Sequence, residues 1–209
     1  MSDIFSDYLL RHSFNKEVLH LGVLGDIDRY ISVGFDGWIF KDISRTASKA
    51  IGIDINRDAV KKANTYGFKN VIYGDAQDFD LRKKFDIIFA GDLIEHLTNF
   101  EGFFKSCKKH MHKNSLLVIT TPNPFSFNNF LRVFLFGKPS IFPEHTCYIT
   151  DKNFEEIARR FGFSIKESGF YTAIDKRNLW YHLLSVLLVA ISTIRKRYNL
   201  AYYILLKIK

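Results

Sequence analysis

VLHLGVLG, at residues 18–25, is a short apolar run that contains two glycines, and it is the first of five such runs before residue 123. The other four are AIGID at 50–54, VIYGDA at 71–76, FDIIFAGDLIEHL at 85–97 and LLVITTP at 116–122. Short apolar runs that are bounded by turn residues and separated by helix-like stretches are typical of a parallel sheet buried on both faces. The sequence therefore predicts an α/β fold.

The spacing of these runs predicts alternating strands and helices along the whole chain. Strands are expected at residues 17–21, 50–53, 71–73, 86–90, 115–120, 164–170 and 199–208. Helices are expected at 1–16, 56–66, 99–112 and 151–161, with a loop and then a helix at 26–49 and a phenylalanine-rich helix or lid at 125–136. Because no repeat, low-complexity tract or clear linker interrupts the pattern, we predict one domain over residues 1–209.

The composition is that of an ordinary globular chain, with 209 residues of which 47% are hydrophobic and 25% charged. The net charge of +8 suits an anionic partner such as nucleic acid, an acidic membrane surface or a phosphorylated substrate, but it also fits a basic surface without a specific partner. Cys107 and Cys147 lack metal-type spacing, so we expect no disulfide framework and no metal site. The first residues make a poor secretion signal, which predicts a cytoplasmic location.

Small and acidic residues follow several of the predicted strands, at the edge where parallel sheets bind ligands. Gly22 and Gly25 would let the backbone approach a ligand after the first strand. Asp54 is placed to accept both hydroxyls of a ribose, and Asp75 is placed to reach an adenine amino group. Each aspartate alone would also fit a helix cap or a turn, but the pair on consecutive strands favours a nucleoside site.

The order of these motifs resembles the class I S-adenosylmethionine-dependent methyltransferases, in the small single-domain branch that acts on diverse small molecules and sugars. The resemblance covers roughly residues 17–172 and depends most on Asp54, Asp75 and the strand motif that contains Glu95 and His96. It implies a Rossmann-like, doubly wound sheet of seven strands, mostly parallel, with an antiparallel last strand. It also implies an apolar helical insertion at about residues 178–197.

The resemblance implies S-adenosylmethionine as the cofactor. The expected cofactor-binding residues are His20, Gly22, Val23, Gly25, Asp54, Ile55, Asp75, Ala76, Ala90 and Asp92. The first motif departs from the family pattern, because His20 stands where an acidic residue is usual and Leu24 and Asp26 stand where later glycines are expected. His20 fits a core histidine as well as it fits a ligand contact.

Two histidines are candidates for a catalytic general base, which methyl transfer to a sugar hydroxyl needs and transfer to a carboxylate does not. His96 follows the fourth predicted strand, and His145 lies in the loop Pro143-Glu144-His145. A general base contributes about 10²–10⁴-fold, whereas positioning the reactants contributes on the order of 7–11 kcal/mol. Both histidines also fit purely structural roles.

The sequence thus predicts S-adenosylmethionine-dependent methyl transfer to a small-molecule or saccharide acceptor, including one that is linked to a lipid. One alternative is a binding or regulatory module that keeps the nucleoside pocket but has lost the transfer activity. An RNA methyltransferase is another alternative, although the sequence contains no visible RNA-recognition module. A nicotinamide dehydrogenase is disfavoured, because the chain lacks a G-x-G-x-x-G turn.

The apolar stretch at 179–194 is shorter than the roughly 20 residues that cross a bilayer. It is followed by Arg195, Lys196 and Arg197. Together with residues 125–136, residues 179–197 predict either a cover over the substrate cleft or docking on an anionic membrane surface. The second reading would place the protein peripherally on the inner face of the membrane.

Overall fold

The structure is a computed structural model that describes residues 4–139, 142–172, 186, 190 and 195–209. The strands are β1 (Glu17–Leu21), β2 (Lys49–Asp54), β3 (Val71–Tyr73), β4 (Phe85–Gly91), β5 (Met111–Pro122), β6 (Phe163–Tyr171) and β7 (Ala201–Ile208). The helices are α1 (Ile4–Ser13), α2 (Ile27–Ser32), α3 (Ile39–Thr46), α4 (Arg57–Thr65), α5 (Phe100–Lys109), α6 (Phe127–Phe136) and α7 (Asp151–Arg160). Single 3-10 turns lie at Ile94–His96 and Lys196–Tyr198.

The strands form one sheet in the order β3-β2-β1-β4-β5-β7-β6. The first five strands along the chain pair in parallel, and β7 pairs antiparallel with both β5 and β6. This confirms the predicted fold class, a mostly parallel seven-stranded sheet with an antiparallel last strand. The strand order puts the carboxyl ends of β1, β2 and β4 side by side, which is where the expected cofactor residues follow their strands.

The sheet has a hydrophobic layer on each face, because successive side chains of a strand point to opposite sides. Leu19 and Leu21 of β1 belong to the layer that contains Phe103 and Phe104 of α5 and Phe154 of α7. Val18 belongs to the opposite layer, together with residues of α1, α3 and α4. The fold is therefore doubly wound, with its ligand edge formed by the loops that follow the parallel strands.

Most predicted boundaries differ from the structure by a few residues, and two of the differences have a clear physical reason. The stretch at 26–49 holds two helices rather than a loop and one helix, because the side chain of Asp26 accepts a hydrogen bond from Arg29 N and caps α2. The predicted helix at 99–112 ends at Lys109, because Met111 already pairs with Phe85 across an irregularity in the β4–β5 register. Neither difference moves the ligand edge.

The predicted apolar insertion lies mostly outside the described residues. Of the range 178–197, the structure describes residues 186, 190 and 195–197, and the last three are exposed basic side chains. Within the described part of the chain, every helix is too short or too polar to span a bilayer.

We predict that Phe104→Ala lowers the free energy of unfolding by about 3–5 kcal/mol, because it opens a cavity in a fully packed layer. The Phe104 ring lies 4.9 Å from the Phe161 ring and 5.4 Å from the Phe163 ring, centroid to centroid. Urea unfolding would measure the change. Phe14→Ala is the matched control, since Phe14 is 69% exposed and its removal should change stability by less than about 0.5 kcal/mol. Equal losses in the two variants would contradict the described packing.

Candidate active site

The loop after β1 is built on two glycines in the left-handed region, Gly22 with φ +68° and Gly25 with φ +46°. The Gly22 amide donates to the Ile53 carbonyl at 2.9 Å, which ties the loop to the end of β2. A Cβ atom at Gly22 would lie 2.8 Å from Leu93 Cδ1, whereas a Cβ atom at Gly25 would meet nothing within 4 Å. The left-handed backbone favours glycine at both positions, and Gly25 leaves space beside the backbone for a ligand.

Asp54 ends β2 with a buried carboxylate that joins two segments of backbone. Its Oδ2 accepts from the Leu24 amide at 2.9 Å, and its Oδ1 accepts from the Asn56 amide at 2.9 Å. Each carboxylate oxygen can accept a second hydrogen bond, so a ribose hydroxyl fits beside these amides. The next side chain, Ile55, is 62% exposed and offers an apolar face for a nucleobase.

The remaining expected cofactor residues range from buried through half-buried Asp75 to exposed Asp92. Asp75 Oδ1 accepts from the Gln77 amide at 2.8 Å, which fixes the carboxylate in the turn after β3. Asp92 is exposed after β4, with φ +46°, and its Oδ1 accepts from Thr120 Oγ1 at 3.1 Å. Val23, Ala76 and Ala90 have buried side chains. Their roles in cofactor binding stay predictions.

His20 is packed inside the protein. Its side chain is 4% exposed, and its ring lies 4.6 Å from the Phe89 ring and 5.9 Å from the Phe40 ring. Burial lowers the pKa of the imidazole to about 3, so the ring is neutral at physiological pH. This geometry fits the reading of His20 as a core histidine, and a contact with the cofactor stays a prediction.

The structure brings together the two histidines that the sequence separates. The rings of His96 and His145 lie 4.7 Å apart at an angle of 87°. The loop that carries His145 is tied to the turn after β4, because the Thr146 amide donates to the Glu95 carbonyl at 2.8 Å and Thr146 Oγ1 donates to the Leu97 carbonyl at 2.8 Å. Both candidate bases therefore belong to one cluster at the ligand edge.

Glu95 is a third member of this cluster that the sequence reading did not include among the site residues. It is 1% exposed, and its Oε2 accepts from Thr121 Oγ1 at 2.9 Å. Burial, with a smaller contribution from the charge of Asp92, raises the pKa of Glu95 to about 7. The only signal in the sequence was its position beside His96, because burial depends on the tertiary structure.

An exposed apolar surface begins where β5 ends at the same edge. Helix α6 starts after Pro122 and Asn123, and we call its exposed side the aromatic helix surface. This surface consists of Phe130, Leu131, Val133, Phe134, Leu135 and Phe136. Asn123 Nδ2 donates to the carbonyls of Arg197 and Asn199 at 2.7 and 2.8 Å, so the basic stretch 195–197 lies beside the start of α6.

The sequence matches a family described as a methyltransferase domain over residues 28–168. The chain belongs to this methyltransferase family. Its cofactor is S-adenosylmethionine, which the open loop at Gly25, the Asp54 carboxylate and the exposed Ile55 fit.

Among known proteins, the methyltransferase is similar to the ubiquinone biosynthesis O-methyltransferase of Bradyrhizobium diazoefficiens, with 28% identity over 116 residues. That match covers 53% of this chain and 46% of the relative, so the chain spans less than half of the relative's length. A SAM-dependent methyltransferase of Aquifex aeolicus has a similar fold, with a TM-score of 0.62, 15% identity and coverage of 98% and 89% of the two chains. The glycopeptide N-methyltransferase MtfA, complexed with sinefungin, gives a TM-score of 0.58 at 12% identity, with coverage of 100% and 95%.

We predict that the buried His20 makes the methyltransferase sensitive to acid. The unfolded chain takes up a proton at His20 below pH 6.5 while the folded chain does not until about pH 3, so this site lowers stability as the pH falls. From pH 7 to pH 5 its contribution should be about 2 kcal/mol. Urea unfolding at both pH values should therefore show a smaller fall for His20→Leu than for the wild type. Phe40→Leu loosens the same packing without removing a titrating group, and it should keep the wild-type fall; a His20→Leu variant that also keeps it would contradict the assignment.

Proposed function

We propose that this methyltransferase methylates a hydroxyl oxygen of a small apolar acceptor that it meets at a membrane surface. One observation carries the proposal. Asp54 follows β2, and Glu95 and His96, which His145 joins from the loop before α7, follow β4 at the same edge of the sheet. The aromatic helix surface begins after β5 at that edge. Oxygen as the accepting atom is supported by the relatives named as ubiquinone biosynthesis O-methyltransferases.

The cofactor side of the proposed site is the edge formed by β1, β2 and β3. Asp54 would accept the ribose hydroxyls, Ile55 would contact the adenine face, and Asp75 would accept from the adenine amino group. The backbone around Gly25 would approach the methionine end. When bound there, S-adenosylmethionine supplies the methyl group on a sulfonium centre, which an oxygen lone pair of the acceptor attacks in line.

The acceptor side is the cluster after β4. Most of the rate in such a reaction can come from holding the two reactants in line. A hydroxyl also has to lose its proton, and the imidazoles of His96 and His145 and the carboxylate of Glu95, whose pKa burial raises to about 7, are groups of this cluster that can assist. We place the acceptor hydroxyl beside this histidine pair, with Glu95 behind it.

We predict that Asp54→Asn weakens the binding of S-adenosylmethionine at least about 10-fold, because a charged hydrogen-bonding group is worth roughly 1.5–3 kcal/mol. The new amide would also direct its NH₂ group at the amide of Leu24 or Asn56, which are donors themselves. Calorimetric titration with the cofactor would measure the loss. Asp58→Asn is the control, because Asp58 lies on the solvent side of α4 with a side chain that is 85% exposed. Unchanged cofactor binding in Asp54→Asn would remove this residue from the site. If the wild type binds the cofactor but transfers no methyl group to any hydroxylated acceptor, the result would support the alternative of an inactive module.

The proposed membrane contact combines apolar and basic side chains. Phe134 is 76% exposed on the aromatic helix surface, and the Phe127 ring of the same helix lies 5.9 Å from the Tyr198 ring. The basic residues 195–197 are exposed next to Tyr198. Apolar side chains that enter the headgroup region and cations that meet lipid phosphates are the two components of interfacial binding. This contact would place the enzyme on the inner face of the membrane.

We predict that the protein floats with vesicles of phosphatidylcholine and phosphatidylglycerol at low salt and less so at high salt, because each basic residue near an anionic surface contributes about 1 kcal/mol. The double variant Phe130→Ser and Phe134→Ser should lose most of this binding. Phe14→Ser is the matched control, because Phe14 is also an exposed phenylalanine but precedes β1 at the opposite edge of the sheet. Wild-type protein that stays with the soluble fraction at both salt concentrations would exclude membrane docking.

A further inference from the structure

We infer that Glu95, His96 and His145 form a binding site for one divalent transition-metal cation, with zinc(II) as the ion that this set of donors fits best. One ligand atom from each of the three residues lies within 4.8 Å of the other two. The spacing of the residues along the sequence gave no expectation of a metal. The site exists only because the loop at 142–148 folds back onto the turn after β4.

The three side chains need only small rotations to surround an ion. Zinc–nitrogen bonds of 2.0–2.1 Å place tetrahedral ligand atoms roughly 3.3 Å apart. The backbone that carries the ligands is already held together by the hydrogen bond from the Thr146 amide to the Glu95 carbonyl at 2.8 Å. His96 is exposed and His145 is half-buried, so both rings can adjust around the buried carboxylate.

Two polar atoms of the cluster are buried without a hydrogen-bond partner among the described residues. They are Glu95 Oε1 and His145 Nδ1. Glu95 is 1% exposed, so water does not compensate this oxygen in the way that it would on the surface. An unsatisfied buried polar atom costs about 1–3 kcal/mol, and more when the group is charged. A cation is the ligand that would satisfy a carboxylate oxygen and an imidazole nitrogen together.

The surrounding hydrogen bonds have the pattern that orients metal ligands. His96 Nδ1 lies 3.1 Å from the Glu144 carbonyl oxygen, which can only accept, so this nitrogen carries the proton and Nε2 keeps its lone pair. Thr121 Oγ1 donates to Glu95 Oε2, which leaves Oε1 as the free oxygen. Outer hydrogen bonds of this kind fix the tautomer of a ligating histidine and the orientation of a ligating carboxylate.

The donor set indicates the class of metal and its use. Two imidazoles and one carboxylate suit zinc and its first-row neighbours better than magnesium or calcium, which prefer oxygen ligands alone. Three protein ligands leave a coordination position open, as in zinc sites that act on a bound molecule. Resting on the proposed function, we assign this position to the acceptor hydroxyl, which the cation would orient and make more acidic, its proton passing to solvent water. With the ion bound, the two imidazoles would assist the loss of this proton as ligands of the cation, whereas in the metal-free protein they would assist it as bases.

Zinc binding to the untagged, chelator-stripped full chain tests the site directly. Competition with a chromophoric chelator should show one zinc ion per chain. His96→Ala and His145→Ala should each weaken the affinity at least about 100-fold, since the loss of even an outer partner costs 10–100-fold. His112→Ala is the matched control, because His112 is a half-exposed histidine paired with Asp86 at 3.2 Å, at the opposite edge of the sheet, and it should bind zinc like the wild type. Circular dichroism would confirm that each variant is folded.

The inference is overturned if the wild type binds no stoichiometric zinc, or if His145→Ala and His112→Ala have the same affinity. Its failure is distinct from a failure of the proposed function. Methyl transfer to a hydroxylated acceptor without zinc binding would overturn the metal site and leave the proposed function in place. Zinc binding that depends on His96 and His145, in a chain that transfers no methyl group, would support the site and contradict the proposed function.

Discussion

The carboxylate of Asp54 holds together the edge of the sheet at which we propose the cofactor site. A buried carboxylate is costly unless hydrogen bonds compensate it, and here the compensation comes from the amides of Leu24 and Asn56. Asn56 in turn caps α4, since its side chain accepts from the amides of Asp58 and Ala59. One side chain thus links the loop after β1, the end of β2 and the first turn of α4. Leu24 directly precedes Gly25, so its hydrogen bond to Asp54 also fixes the position of the open backbone at Gly25.

The buried carboxylate of Glu95, between the ends of β4 and β5, is compensated by hydrogen bonds only in part. Thr121 Oγ1 compensates one of its oxygens, and the other is buried without a partner among the described residues. Burial raises the pKa of Glu95. Both oxygens of Asp54 accept hydrogen bonds from the backbone, whereas Glu95 Oε1 has no partner among the described residues. We therefore expect Asp54 to bind the cofactor and Glu95 to take part in the methyl-transfer chemistry.

The sequence predicted the parallel sheet well because the signal is local. The run at 85–97 places a buried strand directly before Asp92, and the structure has β4 at Phe85–Gly91.

The acceptor side was not predictable in the same way. His145 approaches His96 through hydrogen bonds of Thr146, and no periodicity or spacing encodes that approach. Likewise, the burial of Glu95 depends on packing around the turn after β4, so the sequence offered two candidate histidines but not the cluster that joins them.

The position of the aromatic helix surface supports the proposal of an apolar acceptor at this edge. Burying a phenylalanine side chain contributes about 1.5–3 kcal/mol. Phe130, Phe134 and Phe136 are exposed on one helix, so the described chain does not gain this free energy of burial from them. A membrane interface would recover it in the bound state. Such docking would also present a hydroxyl near the headgroups to the loop of His145 without moving the apolar part of the acceptor into water. The free energy of binding would then come from the lipid contact, and the cluster after β4 would only have to align one oxygen.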